Sequence, residues 1–308
     1  MHTFEELANL LRILGDPTRL RLLASLTQGE LSVSEITQVT GLSQPRVSRH
    51  LKLLCESHIL KRTRDQNEVY YRVTIDEDRR GLVQKVLVNL PTRDPVTARD
   101  QERLTTILDS RQAQAQELLA RMGVRPLSPP EIREVGTAVE ILIKTHLPGN
   151  EGNTTPLGDL LDIGTGTGSM LRLLARQAQR TVAIDQSREM RLVARATVLS
   201  QGLSNCTVQK GDMYDLGFPE KHFDIATMDR VVGTADNPDN AIKEAGRVIK
   251  DGGHLLLVET SGLSTDETRL VEYIENAGLS LLELQQTEKG TAVVAFATRV
   301  PPPQSNAA

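Results

Sequence analysis

Residues 159–171 read DLLDIGTGTGSML. A short run of leucines and an isoleucine over Leu157–Ile163 precedes the glycines, and Met170, Leu171, Leu173 and Leu174 come after them at helical spacing. The stretch therefore reads as strand, tight turn and helix. Gly164, Gly166 and Gly168 let the backbone turn sharply and approach a ligand, and the amides opening the helix suit a carboxylate or phosphate. Glycines in this pattern are by themselves a weak signal, so the order of the downstream elements matters.

Thr181–Ile184 is a second strand ending at Asp185, at the distance where an acidic side chain meets the two hydroxyls of a ribose. Cys206–Lys210 leads into Gly211-Asp212-Met213, and Phe223–Met228 ends at Asp229. Ile242, Ala245, Val248 and Ile249 predict a helix closed by Asp251-Gly252-Gly253, which feeds a strand at His254–Glu259. A helix at Thr265–Ala277 and strands at Leu279–Gln285 and Ala292–Arg299 complete the pattern. The alternation predicts an α/β domain with a doubly wound parallel sheet and its ligand at the carboxyl ends of the strands.

DLLDIGTGTGSML, VAIDQSREM, VQKGDMYDLGF, FDIATMD and RVIKDGGHLLLVE, in that order, resemble the motifs of class I S-adenosylmethionine-dependent methyltransferases over about residues 130–300. That resemblance implies a Rossmann-like fold. It also implies that Asp162, Gly164, Gly166 and Gly168 hold the methionine portion of S-adenosylmethionine or S-adenosylhomocysteine and that Asp185 holds the ribose. Met190 would pack on the adenine, with Asp212 accepting from its amino group and Met213 alongside. An NAD-binding domain is the rival, but it ordinarily carries GxGxxG.

Upstream, SQPRVSRHLKLLCESHIL (residues 43–60) predicts a helix with Ser43 as N-cap and Val47, Leu51 and Leu54 as the buried stripe. Gln44, Arg46, Ser48, Arg49 and Lys52 then point outward, a set suited to base edges and phosphates in a major groove. A short helix through Ile36 and Val39, capped by Ser34 and closed by Gly41, precedes it, so the pair reads as a helix-turn-helix. Strands at Ile59–Arg64 and Val69–Val73 form a hairpin wing. Val69, Tyr71 and Val73 face the core, and Arg62 and Arg64 reach toward flanking phosphates. Helices at Phe4–Leu14 and Thr18–Leu26 come first. Cys55 reads as a small inward-facing residue.

LGDPTRLRLLASL, LSVSEITQVTGLSQPRVSRHLKLL and ILKRTRDQNEVYYRV resemble the ArsR/SmtB family of winged-helix repressors over about residues 4–90. The resemblance implies a double-stranded DNA operator and a homodimer built from the first helix and one at about Glu77–Leu90. Metal-sensing members carry cysteines where this chain has Ser32 and Ser34, and serine hydroxyls are poor substitutes for thiolates, so no metal is expected.

Bulk properties agree. Two cysteines, Cys55 and Cys206, lie far apart, which indicates neither a disulfide framework nor a zinc site. No apolar run approaches the roughly 20 residues of a membrane helix, and the first residues do not resemble a secretory signal, so a cytoplasmic protein is expected. The formal net charge is −4. It is uneven: Gly41–Arg72 holds seven basic against three acidic residues. The expected organisation is a winged helix over 1–93, a helical linker over 94–130 including a long polar helix at Thr97–Met122, a nucleoside-binding domain over 131–300 and a tail at 301–308.

Acceptor machinery is sparse. MDRVVG stands where DNA amino-methyltransferases place an Asn/Asp-Pro-Pro-aromatic motif, Cys206 is the only cysteine of the domain, and only Thr260–Ser264 is available to cover a substrate. Asp229 is the best-placed base, with a loop or capping role as its alternative. Three readings stay open: a regulator that senses the nucleoside, an active methyltransferase on a small molecule with an appended DNA-binding module, or a dimerisation domain with a vestigial site.

Overall fold

The computed structural model describes residues 3–73, 77–91, 94–147, 157–261 and 266–300. The expected loop at Pro148–Pro156, most of Thr260–Ser264 and the tail lie outside them. The chain forms two compact units, residues 1–118 with 195–207 and residues 119–194 with 208–308.

In the first unit, α1 (Phe4–Leu14) opens on a capping box, with the Thr3 hydroxyl accepting from the Glu6 amide and the Glu6 carboxylate accepting from the Thr3 amide. α2 (Pro17–Ser25) is capped by Asp16. A two-residue strand that the sequence does not announce, β1 (Leu31–Ser32), leads into α3 (Val33–Thr40). Ser32, not the expected Ser34, caps α3, because Glu35 then sits three residues on and closes a reciprocal box. Gly41 ends α3 in the left-handed region at φ 66°. The recognition helix α4 (Gln44–Glu56) comes next, with Val47, Leu51 and Leu54 fully buried. Ser43 occupies its N-cap position without making a side-chain cap bond.

Strands β2 (Leu60–Asp65) and β3 (Glu68–Val73) pair antiparallel around Gln66-Asn67, and the sheet order is β1-β3-β2. The expected alternation along β3 is only half of the pattern that forms. Tyr71 and Val73 pack on the core, Val69 is half-buried, and Tyr70 and Arg72 on the other face are buried too. As the central strand, β3 is covered on both faces, which erases a period-two burial signal. α5 (Glu77–Val88) comes after the wing. α6 (Pro95–Met122) belongs to the first unit through Leu118. Cys55 is half-buried and not enclosed, and burial pushes its thiol pKa up.

The second unit starts its main helix, α7 (Pro129–His146), at Pro129-Pro130. These prolines suit the first turn, which has no use for their missing amides. The central sheet takes β4 (Asp159–Ile163), β5 (Arg180–Asp185), β6 (Cys206–Lys210), β7 (Phe223–Asp229), β8 (Ile249–Thr260), β9 (Leu279–Gln286) and β10 (Ala292–Arg299) in the order β6-β5-β4-β7-β8-β10-β9. Helices α8 (Ser169–Leu174), α9 (Arg188–Ser200), α10 (Pro238–Val248) and α11 (Glu267–Asn276) connect them.

β4 pairs parallel with β5 and β7, and β7 with β8, as the Rossmann-like expectation requires. The parallel pattern ends at the sheet's edge, where β10 runs antiparallel to both β8 and β9. The connection from β9 is of hairpin length, which only antiparallel neighbours accept. There are two smaller departures. No helix separates β6 from β7, and β8 begins at Ile249, so Asp251-Gly252-Gly253 lies within a strand. Among the described residues no helix is long and apolar enough to cross a membrane.

Candidate functional site

The glycine turn is joined directly to the end of β4. Gly164, Gly166 and Gly168 have φ of 67°, 50° and 78°, a region that side chains rarely adopt. The Thr165 amide donates to the Ile184 carbonyl at 2.9 Å, and the Gly166 amide to Asp185 Oδ2 at 2.9 Å. Asp185 Oδ1 accepts from the Ser187 amide at 2.9 Å, and the Ser187 hydroxyl accepts from the Met190 amide. One carboxylate thus fastens the glycine turn to the loop that starts α9.

Around this turn lies a cavity of about 500 Å³, within the range of small-molecule sites. Of the residues expected from the sequence, Gly164, Gly166, Asp185, Met190, Met213 and Asp229 line it. Gly168 caps α8 without lining the cavity, and Asp212 turns its carboxylate onto the Tyr214 amide while its neighbour Gly211 forms the wall. Lining residues that the sequence reading missed include Arg125, Gln186, Ser187, Arg230 and Val231. They sit in loops, where no periodicity flags them.

Asp162 lies at the end of β4 and is 1% exposed. Thr227 donates to its Oδ1 at 2.7 Å, while Oδ2 is buried without a well-formed hydrogen bond. Burial pushes its pKa up to about 6 against the opposing pull of the Thr165 and Thr227 hydroxyls. A buried carboxylate with a spare oxygen is incomplete until it meets a donor or cation. The ammonium of a methionine portion is such a group, and the tight glycine cradle leaves room for a ligand where side chains would intrude, so the residues fit S-adenosylmethionine.

Asp229, the expected base, is engaged. Arg230 grips it through Nε at 2.9 Å and Nη2 at 2.7 Å, and also reaches Ser169 Oγ at 3.3 Å. Arg230 has φ 55°. Among the described residues that line the cavity, Asp185 and Asp229 are the only carboxylates, and none is a His, Cys, Lys or Tyr.

In the first unit, Gln44, Arg46, Ser48, Arg49, Lys52, Arg62 and Arg64 are all exposed. The first five share the outer side of α4, opposite its buried stripe. Arg46 donates to Thr18 Oγ1 at 3.0 Å, which tethers it to α2, and Arg64 Nε folds back onto the Gln66 carbonyl at 3.0 Å. Ser32 is spent on capping α3 and on a 2.9 Å hydrogen bond with Ser34.

Comparison with known proteins divides along the same line. The biofilm growth-associated repressor of Xylella fastidiosa is 44% identical over 69 residues, 22% of this chain and 60% of that protein. The ubiquinone/menaquinone biosynthesis C-methyltransferase UbiE of Pseudomonas aeruginosa is 35% identical over 111 residues, 35% of this chain and 43% of its own. The uncharacterized methyltransferase YcgJ of Bacillus subtilis is 32% identical over 100 residues, 32% of this chain and 40% of its own. The chain therefore spans less than two thirds of each. Residues 16–61 match the family described as bacterial regulatory protein, arsR family, and residues 161–257 match the methyltransferase domain family. Within one polypeptide, a stretch that matches the arsR-family model thus precedes a stretch that matches the methyltransferase-domain model.

Proposed function

We propose that the chain is a transcriptional regulator that binds a double-stranded operator as a cytoplasmic homodimer and takes S-adenosylmethionine or S-adenosylhomocysteine as its regulatory ligand. Gln44, Arg46, Ser48, Arg49 and Lys52 read the major groove, with Arg62 and Arg64 on flanking phosphates. Gly164, Gly166, Asp185, Met190 and Met213 hold the nucleoside, Gly168 opens α8 behind the turn, Asp162 meets the ligand's ammonium, and Asp212, turned onto the Tyr214 amide, shapes the adjoining loop. The observation that carries the regulatory reading is the state of Asp229, the expected base: Arg230 grips both of its oxygens, and Asp185 is assigned to the ribose.

The test is an operator titration on the region upstream of the chain's own coding sequence, with and without saturating nucleoside. Affinity is expected to change by about 5- to 150-fold, the usual span of allosteric coupling. An unchanged affinity sinks the sensor reading. The likeness of residues within 161–257 to methyltransferases favours the second reading, an active enzyme on a small acceptor, which transfer of labelled methyl groups to a metabolite pool would establish.

On the DNA side, Arg49→Ala is expected to weaken operator binding by about 1–3 kcal/mol, with relaxed preference at one base pair, whereas Arg62→Ala lowers affinity on all sequences alike and flattens the salt dependence. Equal loss on operator and random duplex for Arg49→Ala would remove it from base reading.

The nucleoside side predicts a pH dependence. Asp162 is raised in the folded state, so its contribution to stability is complete below its ordinary value of 3.8 and is lost as pH rises through about 6. A ligand ammonium favours the charged carboxylate. Binding is therefore expected to release a proton near pH 6 and to weaken by up to about tenfold per pH unit below it. Calorimetry in buffers of different ionisation enthalpy checks this, and an affinity flat between pH 5 and 7 would exclude Asp162 as the ammonium partner.

A further inference from the structure

Between four helices of the first unit lies a second cavity, of about 230 Å³. Ala24 on α2, Val39 on α3, Leu87 on α5, Leu90 just after it and Leu104 on α6 form its apolar wall. Val39 and Leu104 are 0% and 1% exposed and belong to the apolar core of the unit, so the cavity reaches that core. Protein interiors leave few voids larger than a water molecule, and an engineered apolar cavity of about 150 Å³ stays dry and takes benzene. A cavity of this size therefore suits a small ring. Val39 precedes Thr40, whose carbonyl accepts from Arg21 Nη2, so the seat adjoins the joint between α3 and α4.

Its polar groups narrow the chemistry of an occupant. Asp100 on α6 is the only charged residue among the described ones that line the cavity, and it is already neutralised: Arg21 donates from Nε to Oδ2 and from Nη2 to Oδ1, each at 2.7 Å. A ligand cation finds no unbalanced carboxylate there, and a ligand anion would lose its hydration without gaining a counter-charge. Neutral molecules are favoured. The three hydroxyls of the described wall send their protons away from the cavity. Ser25 donates to the Leu22 carbonyl at 2.8 Å, Thr27 to the Ala24 carbonyl at 2.7 Å and Thr97 to the Pro91 carbonyl at 2.6 Å. A hydroxyl has one proton and two acceptor lone pairs, so what each still offers is an acceptor. Ser25 is the most enclosed of the three, at 4% exposure. The occupant must bring the hydrogen, and a rigid ring loses less freedom on entering than a flexible chain does.

We propose that this cavity is a second ligand site, which takes a neutral one- or two-ring aromatic molecule whose N–H or O–H is accepted by Ser25 Oγ. It shares no residue with the nucleoside cavity and goes beyond the reading of that site, so either can fail while the other stands.

The test uses indole as the probe on the full-length chain, which has no tryptophan and so lets the fluorescence of indole be read directly. A ligand of this size in a fitted apolar site is expected to bind with a dissociation constant of about 10 μM to 1 mM. Indene, which has the same shape with a C–H in place of the N–H, is expected to compete about 3- to 10-fold less well, and benzoate at least about tenfold less well. In Ser25→Ala, indole is expected to fall to the affinity of indene. In Ala24→Phe, which fills the seat, indole is expected to lose at least about tenfold. The proposal is overturned by a wild type that does not bind indole up to about 1 mM, by equal affinity for indole and indene, or by binding that Ala24→Phe leaves unchanged. If Ala24→Phe fails to fold, Ser25→Ala decides, and an undiminished preference for indole over indene overturns the proposal too. Indole that binds only a species shown by sedimentation to be monomeric would assign the cavity to a second copy of the chain, seated at Val88, which is 84% exposed in the cavity wall, and would overturn it as well.

Discussion

Gly164→Ala is expected to weaken S-adenosylhomocysteine binding by about 100-fold while leaving the chain folded. At φ 67° a side chain is strained whatever the space around it, and here there is none: an added Cβ would lie 2.6 Å from Val231 Cγ2. Val231 is itself part of the cavity wall, so relief of the clash must come from the site. Strain of this kind costs about 1–3 kcal/mol, and the upper end of that span converts to roughly 100-fold in affinity when it falls on a binding loop. Gly217→Ala is the matched control. Its φ is 65°, yet nothing lies within 4 Å of its added Cβ, and it stands outside the cavity. Calorimetry on both variants separates the two effects: equal affinities would mean that the glycine turn does not form the binding surface.

The largest effect on stability is expected from Arg195→Leu. Removing the guanidinium leaves Glu30 at 1% and Asp65 at 7% side-chain exposure facing no cation from α9. Breaking a buried ion pair from one side costs about 3–5 kcal/mol, because the remaining charge stays desolvated. Burial already holds the Glu30 carboxyl above its ordinary range, and Arg195 is the largest influence opposing that rise. A raised carboxyl gives its full contribution at low pH and loses it as pH rises, so the defect of Arg195→Leu is expected to shrink toward pH 5. Adding Glu30→Gln and Asp65→Asn to Arg195→Leu should recover most of the loss. Urea unfolding at two pH values reads both effects, and a cost below about 1 kcal/mol would show the cluster to be hydrated.

The features legible in the sequence were local ones. The glycine turn declares itself because three positive φ values in five residues leave few alternatives to glycine, and α4 declares itself because Val47, Leu51 and Leu54 repeat at helical spacing. The Ser34 cap was misplaced by two residues because Ser32 and Ser34 are chemically alike, and only the Glu35 partner distinguishes them. β1 is two residues long and carries no periodicity. The reversal of β10 escaped because strand direction is written in the length of a connection and not in the strand's own apolar run. Arg191 and Arg195 belong to no motif of the sequence. Their partners Glu30 and Asp65 stand 165 and 130 residues away from Arg195, a distance no local pattern spans. Arg230 was equally silent, since it sits in a loop.

The division of the chain changes sides after Leu118, after Ala194 and again after Thr207. Leu199, from the returning segment, is 1% exposed in the same apolar cluster as Leu22, Leu51 and Leu54. The first unit is thus completed by a piece of chain that the sequence delivers about 76 residues after the rest of it. A gene truncated after the long polar helix would encode a protein missing a piece of its own core and the counter-charge to two interior carboxylates.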